Sequence, residues 1–364
     1  MAKVLIAGAL GVVGRAVVER FVGRAGIEVV ALSRRAPDFA AQATWVACDL
    51  RDPAATAAAL AGHRDTTHIV YAALSEQPDL VRGWRDAGNA ALNTAMLRNL
   101  LDALHGAPIA HLTLLQGTKA YGVHTGRPMR VPAREQDALR DHSNFYFEQE
   151  DLVAERARTA GFRWTVLRPQ IVLGVAVGSA MNPVATLGAY AALSRELGRP
   201  LRFPGHPHLL TECTDARLIA AVAEWAWSEP RAHGEAFNVA NGDVIVWATF
   251  FERLAREFGL ALGVPTETKM ADEMPRHAQL WREMAQREGL AVAELDQLLG
   301  LSWQYADATW ASRRPLPVPP IVSTIKLREA GFADCIDTEE CIVQHLRAMQ
   351  DLRLLPRLLA EATP

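Results

Sequence analysis

Polar and apolar positions in the first half of the chain repeat one unit: a short apolar, β-rich run, a turn, then a stretch of helical period. The runs fall at 4–7, 28–32, 44–48, 68–71, 111–115 and 164–167. Unbroken apolar runs of this length suit strands buried on both faces, as in a parallel sheet. Between them, 15–22 and 89–103 are long enough in helical spacing to supply the crossovers that parallel neighbours require. The alternation predicts an α/β fold, a Rossmann-type doubly wound parallel sheet, over residues 1–174. Beyond Gly174 helical pieces dominate, at 216–228, 246–258, 274–288 and 338–352. One late strand, Ala236-Phe237-Asn238-Val239, is expected to return to the sheet, and a proline-rich link runs from Pro315 to Pro320. Residues 175–364 then form a smaller, mainly helical substrate-binding region at the sheet's carboxyl edge, where α/β sheets hold ligands.

Composition narrows the function. Half of the 364 residues are apolar and 22% are charged, enough for a buried core. With 38 basic against 41 acidic side chains, no positive surplus exists to neutralise phosphates, which argues against a nucleic-acid partner. The four cysteines, Cys48, Cys213, Cys335 and Cys341, are too scattered for a disulfide framework and suit a reducing cytoplasm. The apolar start, 4–10, lacks the basic flank and cleavage site of a secretory signal. Residues 171–193 carry no formal charge and are long enough to span a bilayer, but Asn182-Pro183 would break the helix; a pocket wall is the better reading, with no membrane partner. His206-Pro207-His208 has no third ligand at suitable spacing, so no metal is expected. An amphipathic helix reads the same against a core or a second copy, which leaves a homodimer open.

Gly8-Ala9-Leu10-Gly11-Val12-Val13-Gly14 lies between the first strand and the first helix. Glycines there permit a tight turn, backbone approach to a pyrophosphate and close helix–strand packing, while the helix start offers free N–H groups. After the second strand comes Ser33-Arg34-Arg35, where an NAD site would place an acid for the ribose hydroxyls. Two guanidiniums suit the 2′-phosphate of NADP instead. Asp49-Leu50, ending the third strand, stands where an adenine edge would be met, and Ala72-Ala73, ending the fourth, leaves room for the cofactor.

Proton chemistry needs other residues. No tyrosine is followed at +4 by lysine, the pair a common reductase of this class uses: Tyr71, Tyr121, Tyr146, Tyr190 and Tyr305 are followed there by Ser75, Thr125, Glu150, Ser194 and Thr309. Only four basic residues are lysines, and Lys119 comes directly after the fifth strand in Gln116-Gly117-Thr118-Lys119. An ammonium is compact and its charge responds to burial, which a guanidinium does not offer.

Asn144-Phe145-Tyr146-Phe147 with Glu150-Asp151 completes the pattern. Together with the glycine start, Arg34-Arg35, Gly117-Thr118-Lys119, Arg168-Pro169 with Gly174, and 235–244, it resembles the progesterone 5β-reductase/iridoid synthase-like family of atypical extended short-chain dehydrogenases/reductases. The likeness covers nearly the whole chain. It implies NADPH-dependent 1,4-reduction of an enone or enal, a small apolar α,β-unsaturated carbonyl compound, with Tyr146 and Lys119 polarising the carbonyl. It further implies Gln116, Gly117, Pro169 and Ile171 beside the cofactor and Phe147, Met181 and Asn182 beside the substrate; for Asn182 a helix-start role reads equally well. Phe147 stands where the family commonly has tyrosine, and Gln116 where it commonly has threonine. Two alternatives stay open: 1,2-reduction of a carbonyl by the same pair, and a non-catalytic NADP sensor.

Overall fold

The computed structural model describes residues 1–310 and 319–357, so most of the proline-rich link lies outside the described residues. The chain divides into two compact units. The first holds Met1–Gln170, Ala216–Ala240 and Pro320–Cys335; the second holds Ile171–Asp215, Asn241–Pro319 and Ile336–Pro364. The division is interleaved, where the sequence suggested one cut at 174 and a single returning strand.

The first unit is a seven-stranded parallel sheet: β1 (Ala2–Ala7), β2 (Ile27–Ser33), β3 (Thr44–Ala47), β4 (His68–Tyr71), β5 (His111–Leu115), β6 (Arg163–Pro169) and β7 (Glu235–Val239). Their order is β7-β6-β5-β4-β1-β2-β3, every pairing parallel. The late strand does return, pairing with β6. Val4 to Ala7 and Val29 to Leu32 are buried, as strands covered on both faces require. The third run departs from that expectation: β3 is the sheet edge, and its residues are half-buried or exposed.

Helices α1 (Val12–Phe21), α2 (Pro53–Leu60), α3 (Ala87–Ala103), α4 (Phe145–Ala160) and α5 (Ala216–Ser228) make the crossovers and flank the sheet. α1 packs on α5, whereas α3 packs on α2 and α4. Their starts are written locally. Asp52 accepts from Ala54 N and Ala55 N at 2.9 and 3.0 Å with Pro53 in the first turn, and Asp86 accepts from Asn89 N at 2.6 Å. α4 ends on Gly161 in the left-handed region.

The second unit is mainly helical. Its long helices are Pro183–Glu196, Trp247–Glu257, Ala278–Glu288 and Thr338–Asp351, with two short strand pairs. The uncharged 171–193 run supplies a short strand, Ile171–Leu173, and the largely buried helix Pro183–Glu196 of this unit's core. No helix among the described residues is long and apolar enough to cross a membrane. Phe203 gathers Trp247, Phe251 and Trp310 around it, so Trp310 is core packing.

Candidate functional site

At the carboxyl end of β1 the glycine turn is forced by crowding. Gly8 has φ +83°, and a Cβ there would stand 2.7 Å from the Ala72 carbonyl oxygen and 2.9 Å from Ala73 Cα. A Cβ on Gly14 would stand 2.1 Å from Gly8 O. Ala72 and Ala73 are therefore the wall against which the turn closes. Gly11 caps α1 without a side-chain acceptor and no acid occupies the first turn, so the backbone N–H groups there face outward without side-chain competition. Leu10 and Val12 are buried and Val13 is half-buried beside them. This strand–turn–helix cradle, with a helix start free of side-chain caps and acids, fits a dinucleotide pyrophosphate.

Arg34 and Arg35 are exposed just past β2, and Ser33 Oγ accepts from Arg35 N at 3.0 Å, which fixes the turn. Arg15, absent from the sequence expectations, is buried in α1, pairs with Glu19 at 2.8 Å and lies 4.3 Å over the Phe39 ring. Asp49 is engaged by a neighbour. Arg51 grips both its oxygens, through Nε at 2.9 and 3.1 Å and Nη2 at 2.6 Å, and that grip holds the carboxyl down at about 2. Its carboxylate is spent on a neighbour, while Leu50 is buried.

The proposed proton site is built at the ends of β5 and β6. Tyr146 is buried at the start of α4, and its hydroxyl lies 3.3 Å from where a Cβ on Gly117 would be, with the Pro169 carbonyl at 3.4 Å from the same point. Gly117 thus gives the Tyr146 hydroxyl room that a Cβ would crowd; its φ of 171° is ordinary extended backbone. Lys119 sits in the following 3-10 turn, Thr118–Tyr121. Asn144 ties the two segments: its Oδ1 accepts from Tyr146 N at 3.1 Å and its Nδ2 donates to Lys119 O at 3.1 Å. Sequence reasoning used Asn144 only as part of a motif; its position before an aromatic helix start is the cap signal that would have revealed the role.

The Gln116 side chain ties three segments together. Its Nε2 donates to Tyr146 O at 2.8 Å and to Glu150 Oε2 at 3.0 Å, and its Oε1 accepts from Arg168 Nε at 2.9 Å. Arg168 also meets Glu150 at 3.2 Å. Both ends of the Gln116 amide therefore bind α4 to β6, and Glu150, at the position where the common reductases carry lysine, anchors the helix instead. Phe147 is buried with Ala120 and Tyr146, under the Arg140 guanidinium at 4.9 Å and beside His142.

Burial pulls the Lys119 ammonium below its usual range, and the Glu76 charge opposes the pull. Its Nζ lies 4.3 Å from the centre of the Trp84 ring. His124 is held down to about 4, mainly by burial and then by the Lys119 charge. Neither Glu76 nor Trp84 was singled out from sequence.

Ile171, Met181 and Asn182 belong to the second unit. Ile171 pairs with Cys213. Met181 is half-buried. Asn182 is the helix start that its sequence equally allowed: Oδ1 accepts from Val184 N at 3.2 Å, and its backbone N donates to Ser302 Oγ at 2.9 Å. His206 and His208 stack loosely, 5.6 Å apart. One group capable of metal ligation occurs among the described residues, buried Asp215, Cys341 and His345, with ligand atoms within 4.8 Å. His345 Nε2 lies 3.3 Å from Asp215 Oδ1.

A family model described as NAD(P)H-binding matches residues 8–176, the segment that carries the glycine cradle and the Tyr146 helix. The chain is 30% identical over 326 residues to (S)-8-oxocitronellyl enol synthase of Nepeta cataria, covering 86% of this chain and 81% of that protein. It is 29% identical over 326 residues to 3-oxo-Δ4,5-steroid 5β-reductase of Arabidopsis thaliana, covering 86% and 80%. Among solved structures, UDP-glucose 4-epimerase of Thermotoga maritima aligns with a TM-score of 0.69 at 15% identity, covering 96% of this chain and 99% of that one, a likeness of fold.

Proposed function

We propose a reaction from one premise: the chain belongs to the progesterone 5β-reductase/iridoid synthase-like family of atypical short-chain dehydrogenases/reductases. The reaction is NADPH-dependent 1,4-reduction of the activated C=C bond of a small, mostly apolar enone or enal. Gly8, Gly11 and Gly14 would hold the pyrophosphate, and Arg34 and Arg35 the 2′-phosphate. When bound, the reduced nicotinamide supplies a hydride to the β-carbon of the substrate.

The chain's own part is to hold the oxygen. As the β-carbon gains its hydride, negative charge develops on the carbonyl oxygen, giving an enolate. The Tyr146 hydroxyl donates to that oxygen and the Lys119 ammonium adds a positive charge, in surroundings where water does not screen them. The α-carbon takes its proton from water, so no further side-chain acid is needed. The observation that carries this reading is the approach of the Tyr146 hydroxyl to Gly117, with Asn144 joining Tyr146 to the Lys119 turn. The family resemblance of those segments supports the choice of 1,4- over 1,2-chemistry.

The test is NADPH oxidation with a panel of small enones and enals, with products identified. We expect the saturated carbonyl compound. Tyr146→Phe and Lys119→Met each lose about 10²–10³ in kcat, the usual effect of removing one oxyanion donor, while NADPH binding survives in Tyr146→Phe. An allylic alcohol as product would shift the assignment to 1,2-reduction. Cofactor binding without turnover of any carbonyl compound would favour the sensor. Full activity in both variants would remove the mechanism.

A further inference from the structure

Between β4 and α3 the chain makes a short strap over the Lys119 turn. It contains Glu76, the single-turn helix Leu80–Gly83 capped by Asp79, and Trp84. The strap is pinned at several points. Arg85 Nε donates to His124 O at 2.8 Å, just past Lys119, and Asn89 Nδ2 donates to Gly83 O at 3.2 Å. Gly83 lies against Gln77 so closely that a Cβ there would meet it at 2.8 Å. Pinning of this kind fixes the Trp84 indole, whose face carries the Lys119 ammonium at 4.3 Å.

An ammonium half-buried on an aromatic face keeps its charge only if something compensates for lost water. The titratable groups that interact with it are Glu76 on the strap and His124 on the turn Val123–Thr125, and Arg85, at the end of the strap, acts in turn on His124. His124 stays neutral near neutral pH and Arg85 is itself positive, so Glu76 is the compensating charge. Its Oε1 is buried and makes no hydrogen bond among the described residues. Burial pushes the Glu76 carboxyl up, and the Lys119 charge and the Trp84 N–H oppose that push.

We propose that Trp84 and Glu76 are positioning residues for the Lys119 ammonium, the indole fixing where it sits and the carboxylate fixing its charge. The proposal deepens the reading of Lys119 as an oxyanion donor and rests on it for its catalytic meaning.

The chain's four lysines, Lys3, Lys119, Lys269 and Lys326, allow a direct measurement. Protein labelled with ¹³C at lysine Cε gives four side-chain signals, and Lys119→Met assigns the one that matters. The indole ring current should move the Lys119 signal upfield; Trp84→Leu should abolish that displacement and Trp84→Phe should keep part of it. In Glu76→Gln the Lys119 titration midpoint should fall by about one pH unit. With an active enone, Trp84→Leu should lose about three- to tenfold in kcat, Trp84→Phe should recover part of it, and the alkaline limb of the kcat profile in Glu76→Gln should move to lower pH. Native positions for the other three lysine signals certify the fold of each variant. An unchanged Lys119 midpoint in Glu76→Gln together with an unmoved signal in Trp84→Leu overturns the proposal. The expected spectra in a protein that reduces no enone would uphold the clamp and sink the proposed function, so the two failures are distinct.

Discussion

Arg34 and Arg35 stand exposed at the end of β2 while Asp49, at the end of β3, is neutralised by Arg51. The charge offered to a cofactor at this corner is therefore positive. Replacing both Arg34 and Arg35 by alanine should weaken NADPH binding by roughly 10- to 100-fold, the scale of one or two charge-assisted hydrogen bonds, and leave NADH binding nearly unchanged. Titration calorimetry with both nucleotides checks this; equal loss for the two would place the 2′-phosphate elsewhere. The exposed place of the arginines was legible because it follows from their position after a strand alone. The Asp49–Arg51 pair was not legible, because it forms in a turn whose geometry no periodicity encodes. The ties made by Gln116 were hidden for a related reason: its amide meets groups 30 and 52 residues distant in sequence, Tyr146 and Arg168.

At the scale of the element, α4 shows how a helix start can set a site. Asn144 satisfies the free Tyr146 N–H of the first turn of α4 and the carbonyl of Lys119 with one amide. Asn144→Ala should cost about 1 kcal/mol of stability, the usual price of a lost cap. It should also lower kcat more than it weakens NADPH binding, since the two catalytic segments lose their tie. Denaturant unfolding and steady-state kinetics separate the two effects, and a stability loss with unchanged kcat would make Asn144 a cap only. The strand–turn–helix rhythm made α1, α3 and the buried strands readable, because period and burial coincide there. Edge strand β3 and the strap at 76–85 were not readable as such. Their form is imposed by what lies beside them, and the Lys119–Trp84 contact joins residues that no local pattern relates.

For the whole molecule, acid sensitivity follows from two buried imidazoles. Burial holds His111 down at about 3 and His124 at about 4. Unfolded histidine takes a proton near pH 6.5 and these folded ones do not, so the unfolded state binds more protons as pH falls through that value. Stability should therefore be full above about pH 6.5 and decline toward pH 4, by at most about 1.4 kcal/mol per pH unit for each histidine. Unfolding midpoints measured from pH 7.5 to 5 check this, and His111→Asn should flatten the slope. A slope the same in that variant would assign the sensitivity to other groups. The alternation in the sequence revealed the parallel sheet at this scale, and the late strand that returns to it, but not that the helix Ala216–Ser228 and the segment Pro320–Cys335 also join the first unit. That interleaving depends on which apolar surfaces meet, and helical period alone does not name a partner.

The place of β7 has a consequence for biosynthesis. β6 is synthesised roughly 65 residues before the strand that covers its open edge, and at about 5–20 residues per second the ribosome leaves that edge bare for several seconds. A nascent chain in that interval presents a row of unsatisfied amides and apolar side chains ready to recruit a foreign strand. Yield in a host cell should thus depend on how quickly translation carries the chain past Val239, and on holdase chaperones near the exit tunnel during that wait.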